Sequence, residues 1–311
     1  MRAVVVGGSG QIGGCLLRFL RERGHAAVGT FASSRLPGLV HLDAADHDAA
    51  AAWLLAQRPD VVLYPAGFTW VDGCEKDPKL ARRTNLEQPL NLARTTAEIR
   101  ARFVYFSTDY VFDGLAGPYG ESDLARPLSV YGAAKRDAEI ALAEVLGDAL
   151  LVVRTCWVFG PESQGKNFAY QVRRALRDEK TLTCPSDQTS SPTYGPDIAE
   201  AVVRLVELGR SGLIHVAGPE VVDRVGFARS LAAAFHLDSA WIEGKSTAEL
   251  GQVAPRPLKG GLLTRRLDEL LPGLMRPLSQ TLPEFQAWLA VSDKWAPPST
   301  YDEPGAERVA D

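Results

Sequence analysis

Residues 2–14 read RAVVVGGSGQIGG: a short apolar run, glycines at 7, 10 and 13, and the start of an amphipathic pattern that continues to about Gly24. A strand that ends in such a turn and opens a helix is the context in which a glycine-rich motif binds a dinucleotide. Without side chains the backbone turns tightly and lets a pyrophosphate approach. The free N–H groups and the positive end of the helix dipole then face the anion. Gly7, Ser9, Gly10, Gln11, Ile12 and Gly13 are therefore candidate cofactor-binding residues. The competing reading is that glycines merely permit a strand-to-helix turn, and the flanking strand and helix favour the cofactor.

Outward from this turn the chain alternates. HAAVGTF (25–31), LVHLD (39–43), DVVLYPAG (60–67), RFVYFS (102–107) and ALLVVRT (149–155) read as strands, and 50–59, 78–100 and 130–146 as helices. Strands alternating with helices argue for βαβ units and a parallel sheet. Their continuous apolar character fits a sheet covered on both faces. The expected class is α/β: a Rossmann-type doubly wound parallel sheet with a smaller C-terminal substrate-binding domain. Beyond Gly160 the spacing is irregular, punctuated by Pro161, Pro185, Pro192 and Pro196. Helices are expected near 197–209, 225–236 and 281–290, and a strand near 213–218. The expected division is a dinucleotide-binding domain over 1–160, to which 196–215 returns, a substrate lobe over 161–295 and a flexible Pro-rich tail over 296–311.

Composition narrows the partners. A net charge of −4 offers no basic field, which points away from nucleic acid and from an anionic membrane surface. No apolar run approaches the length needed to span a bilayer. The N-terminus enters a strand at once, with no signal segment, so a cytoplasmic protein is expected. Cys15, Cys74, Cys156 and Cys184 have no CxxC spacing, and the histidines are equally scattered. No metal site or disulfide framework is expected.

After the second strand, NAD-selective folds place an acidic residue on the ribose hydroxyl. This chain has GTFASSR there, with Ser33, Ser34 and Arg35 and no carboxylate. A carboxylate would repel a 2′-phosphate, whereas an arginine and hydroxyls would bind it. NADP(H) is preferred over NAD(H). Asp43, after the third strand, either reaches the adenine amino group or caps the next helix.

Tyr131 and Lys135, in VYGAAK, lie one turn apart on the same helix face. An ammonium near a phenol is expected to lower its ordinary pKa of about 10, which suits proton transfer to a carbonyl as hydride arrives at its carbon. Thr108, in STDYVF at the carboxyl end of the fifth strand, offers a hydroxyl to the same oxygen. YxxxK alone is a weak signal. Behind a glycine turn and five strands it is a strong one.

GGSGQIG, STDYVFDG, VYGAAK, RTCWVFG, NF at 167–168 and DQTSSPTY occur in this order over about residues 1–270. Together they resemble the dTDP-4-dehydrorhamnose reductase family of extended short-chain dehydrogenases, to which the GxxGxxG spacing also points. The resemblance implies reduction of a nucleotide-linked 4-keto-6-deoxy sugar by NAD(P)H. It makes Thr108, Tyr131 and Lys135 the catalytic hydroxyl, general acid and supporting lysine, with Tyr131 and Lys135 also at the cofactor. Ala66 and Gly67 match the small residues beneath the cofactor, and Asn85 a structural asparagine. Asp109, Tyr110, Trp157, Asn167 and Arg256 match the substrate side, Asn167 near the nucleotide diphosphate. After Arg256 this chain reads RPLKGGLL, where the family carries an asparagine-containing stretch, a departure at the position of substrate recognition.

Two alternatives share the layout. A regulatory subunit resembling the methionine adenosyltransferase β subunit would bind cofactor without turnover; Thr108 and Trp157 favour the reductase. A sugar-nucleotide epimerase would hold NAD tightly, and the missing acidic residue after the second strand argues against it. The sequence leaves the oligomeric state open, a homodimer included.

Overall fold

A computed structural model describes residues 1–292. Strand β1 (Arg2–Val5) leads through the glycine turn into α1 (Gln11–Glu22), and β2 (Ala26–Phe31) returns parallel to β1. The short strand β3 (Val40–His41), α2 (His47–Gln57) and β4 (Val61–Tyr64) follow. Helices α3 (Val71–Lys76), α4 (Pro78–Arg82) and α5 (Gln88–Glu98) lead to β5 (Arg102–Thr108). Then come α6 (Val130–Leu146) and β6 (Leu150–Thr155). With the edge strand Gly212–His215 these form one parallel seven-stranded sheet, in the order Gly212–His215, β6, β5, β4, β1, β2, β3.

Strand order reverses between β1 and β4, so a crevice opens beyond their carboxyl ends, where open α/β sheets bind ligands. The strands are apolar throughout because each successive side chain enters a different layer. Val5, Val61, Val104 and Val153 pack with Leu16 and Leu20 of α1. Their neighbours Val4, Val62, Phe103 and Val152 pack on the opposite face with Leu92 and Leu142. This is the Rossmann-type sheet that the sequence leads one to expect.

One stretch departs from the expectation of a single helix over 78–100. Between α4 and α5 the backbone widens into a π-helical turn at Arg83–Glu87, which carries the fully buried Asn85. Such turns are rare and gather at functional sites.

Past β6 the chain builds a smaller lobe from α7 (Phe168–Arg177) and, after α8 (Gly195–Glu207), from α9 (Arg224–Ala234) and the helix Leu278–Ser292. Phe159, Tyr194, Phe227, Leu231 and Phe285 form its core. Helix α8 packs against α1, so this part of the chain belongs to the sheet's layer and not to the lobe. Among the described residues no helix is long and apolar enough to cross a membrane. The tail expected over 296–311 lies outside the described residues.

Candidate active site

A cleft of about 940 Å³ runs from the glycine turn to the smaller lobe. Gly7, Ser9, Gly10, Gln11, Ile12 and Gly13 line one end. The turn is closed by a Gly10 N–H donating to the Gly7 carbonyl at 3.1 Å. Gly7 takes φ +92°, and a Cβ on Gly13 would stand 2.1 Å from the Gly7 oxygen, so the turn and helix come this close only without side chains. The lobe reaches across: Gln164 donates to the Ser9 carbonyl at 3.1 Å.

Ser33 and Ser34 line the same end, as does Asp43. Asp43 accepts from the Ala45 N–H, while Asp46 is the residue that caps α2. Of the two roles open to Asp43, capping the helix is thereby taken by its neighbour. Arg35 is exposed and stands outside the cleft lining. Ala66 and Gly67 form the floor beside β4. They are held by Asn85, whose side chain accepts from the Phe68 N–H and donates to the Phe68 carbonyl, both at 3.0 Å.

Thr108, Tyr131 and Lys135 meet on the cleft wall. Ser129 caps α6 by accepting from the Gly132 N–H, which fixes the helix start just ahead of Tyr131. The Lys135 ammonium donates to the Phe106 carbonyl at 2.9 Å and lies 4.6 Å from the centre of the Tyr105 ring. Burial pushes its pKa down to about 8, against the opposing pull of Glu139. The Tyr131 phenol is pushed well above its ordinary range, first by burial and then by Cys74, while the Thr108 hydroxyl draws it down. The expectation that Lys135 lowers this phenol is therefore corrected. Its charge is directed at a carbonyl and a ring, and burial is the largest influence on the phenol. Tyr131 is held protonated, the form a general acid requires.

Thr108 also accepts from the Tyr110 N–H at 3.2 Å, so its turn-capping and site roles coincide. Asp109 lines the cleft but is buried, and it accepts from the Ser190 hydroxyl at 2.7 Å. Tyr110 meets Tyr131 edge to face at 5.9 Å. Trp157 lines the cleft with a left-handed backbone, φ +40°, and its ring stacks on Phe227 at 6.4 Å. Asn167 caps α7 and donates to the Gly160 carbonyl at 2.9 Å, with its residue on the cleft wall. Arg256 is not brought into the lining: it pairs with Asp72 at 2.7 Å and lies behind Tyr110.

The family model described as RmlD substrate binding domain matches residues 1–290. The chain belongs to this family. Among curated relatives it is 34% identical over 271 residues to a dTDP-4-dehydrorhamnose reductase of Mycobacterium tuberculosis, covering 85% of this chain and 86% of that one. It is 33% identical over 269 residues to a probable low-salt glycan biosynthesis reductase of Haloferax volcanii, covering 84% and 89%. A solved dTDP-4-dehydrorhamnose reductase of Clostridium acetobutylicum superposes with a TM-score of 0.84 at 28% identity, over 93% of this chain and 100% of that chain. One from Bacillus anthracis, in complex with NADP, gives 0.84 at 26% identity, over 92% and 99%. The RmlD family is one of sugar-nucleotide reductases that use a nicotinamide cofactor.

In this RmlD family member the cleft suits such a cofactor on structural grounds. Three lining hydroxyls, Tyr64 Oη, Ser107 Oγ and Thr155 Oγ1, are buried without partners, and buried polar groups are seldom left so. They sit at or next to the carboxyl ends of β4, β5 and β6. Sequence reasoning missed them, since hydroxyls on strand ends are ordinary. It also missed Gln164, which crosses to the glycine turn from a loop of no recognisable pattern. It missed Arg224, whose guanidinium covers Trp157 at 3.5 Å. The one signal for Arg224 was a cation directly behind an N-cap aspartate, where helix starts prefer acids.

Proposed function

We propose that this protein reduces the C4 keto group of a nucleotide-linked 4-keto-6-deoxy sugar, with NADPH preferred over NADH. The observation that carries this reading is the meeting of Thr108, Tyr131 and Lys135 on the wall of the cleft whose other end is the glycine turn. A nicotinamide, when bound, supplies hydride to a carbonyl carbon. Tyr131 then gives its proton to the carbonyl oxygen, which the Thr108 hydroxyl holds. Lys135 places positive charge beneath the cofactor floor at Gly67, whose missing side chain leaves room for it.

At about 940 Å³ the cleft stands at the large end of ligand sites, in keeping with extended ligands. Preference for the 2′-phosphate is supported by Ser33 and Ser34 at the lining and by the NADP complex of the Bacillus anthracis relative. Residues 1–160 with 196–215 are read as the cofactor domain and 161–295 as the substrate lobe, in a cytoplasmic enzyme.

The test follows NADPH and NADH oxidation against a panel of nucleotide-linked 4-keto sugars, with product configuration read by NMR. Consumption of NADPH with a 4-keto-6-deoxy sugar is expected. Cofactor binding without turnover on any member of the panel would overturn the reading in favour of a regulatory protein.

A further inference from the structure

Arg224 opens α9 directly after its N-cap, Asp223. The first turn of a helix carries the positive end of its dipole, so a cation is disfavoured there. The guanidinium carbon lies 3.5 Å from the centre of the Trp157 ring and 4.6 Å from that of Phe168. Apart from these rings, the side chain has no hydrogen-bond or ion-pair partner among the described residues. Burial pulls its pKa down to about 10; Arg256 adds repulsion, while Tyr110, Cys184 and Asp109 act in the opposite direction.

Arg256 is the second cation of this neighbourhood; both guanidiniums stand just behind the cleft lining, Arg224 behind Trp157 and Arg256 behind Tyr110. Asp72 neutralises it, yet its Nη1 is buried without a partner. Two guanidiniums thus share one paired carboxylate, and Asp109 acts on Arg224 only at a distance. Arg224 is only partly exposed, and a guanidinium largely withdrawn from water without an anion is costly to the fold. Such a cost is tolerated where a ligand brings the missing charge.

We infer that Arg224 binds the diphosphate of the nucleotide-sugar substrate, an assignment that rests on the sugar-nucleotide reading above. The planar fork of an arginine matches phosphate oxygens two at a time, and its face is already set by Trp157 and Phe168. Trp157 and Asn167, the residue before Phe168, both line the cleft. An anion held at this place leaves the sugar between Trp157 and the Thr108–Tyr131 pair.

The test titrates thymidine diphosphate into the full-length, NADP-loaded protein by calorimetry, for wild type, Arg224→Gln and Arg224→Lys. NADPH affinity of each form is measured alongside. Loss of a charge-assisted fork predicts thymidine diphosphate binding weaker by about 10- to 100-fold in Arg224→Gln, with NADPH binding unchanged. Equal thymidine diphosphate affinity in wild type and Arg224→Gln overturns the role of Arg224 alone. A wild type that binds NADPH but neither thymidine diphosphate nor, titrated in turn, uridine, guanosine or cytidine diphosphate overturns both this role and the sugar-nucleotide reading. If Arg224→Gln loses NADPH as well, Arg224→Lys decides. Retained charge should keep thymidine diphosphate binding within about tenfold of wild type, and loss of NADPH in that variant too makes Arg224 a packing residue and ends the proposal.

Discussion

Tyr131 and Lys135 stand one helical turn apart, and burial, which disfavours charge on both, acts on their protons in opposite directions. It holds the proton on the phenol and loosens the proton on the ammonium. A donor that keeps its proton until a carbonyl oxygen accepts it is suited to reduction. Tyr131→Phe removes only that proton and should lower kcat by about 10²- to 10⁴-fold while the NADPH dissociation constant stays unchanged. Single-turnover kinetics with a calorimetric binding measurement checks both halves. With the Lys135 pKa near 8, kcat/KM should fall as pH rises through that value, since the ammonium is lost. Stability should move the other way. Lys135 has a depressed folded pKa, so between about 8 and the ordinary 10.5 the unfolded chain binds more protons than the folded one. Stability contributed at this residue therefore rises with pH across that window and is lowest below it. Urea unfolding of wild type and Lys135→Met across the window checks the sign: only the wild type should carry this slope.

At the scale of elements, the strands were legible because a sheet covered on both faces demands unbroken apolar runs. The glycine turn was legible because all its determinants are local: strand, turn and helix lie within residues 2–22. The helix over 78–100 was legible only in outline. Nothing in its periodicity marks the extra residue that widens the backbone at Arg83–Glu87, and α3 is too short to show a pattern. Yet that wide turn is what presents Asn85 to both polar groups of Phe68 and so fixes the floor of the cleft. Asn85→Ala leaves the part-buried Phe68 N–H unpaired and its carbonyl with the Cys74 thiol alone, and should cost about 1–3 kcal/mol, with weaker NADPH binding. Chemical denaturation and a cofactor titration read the two effects separately. The substrate end was harder to read for a related reason. Trp157, Asn167 and Arg224 come from three separate elements, and their neighbourhood exists only after the lobe has folded.

For the whole molecule, the question is what keeps two differently built parts in register around one cleft. Gln164 reaches the glycine turn from the lobe side, and Gln11 reaches back to the Gly160 carbonyl at 3.5 Å. Behind the cleft, Asp197 of α8 accepts from the Arg276 side chain at 2.5 Å, and Arg276 also meets Glu284 of the last described helix. Burial raises the Asp197 carboxyl despite this pairing, so removing the arginine's partner is felt on both sides. Asp197→Ala should cost about 2–3 kcal/mol, less than the loss of a fully buried pair because Arg276 keeps some contact with water. Thermal unfolding together with unchanged kcat would place the effect in the scaffold and not in the chemistry.

The left-handed backbone at Trp157 has a consequence for how this chain can change over generations. A bulky side chain at φ +40° is disfavoured by roughly 1–2 kcal/mol against what glycine would incur. Folding alone would let that position drift toward glycine or asparagine. The indole is what Arg224 and Phe227 rest on, so packing within the lobe checks that drift. A lineage that lost this tryptophan would be expected to loosen the lobe first, while its parallel sheet remained whole.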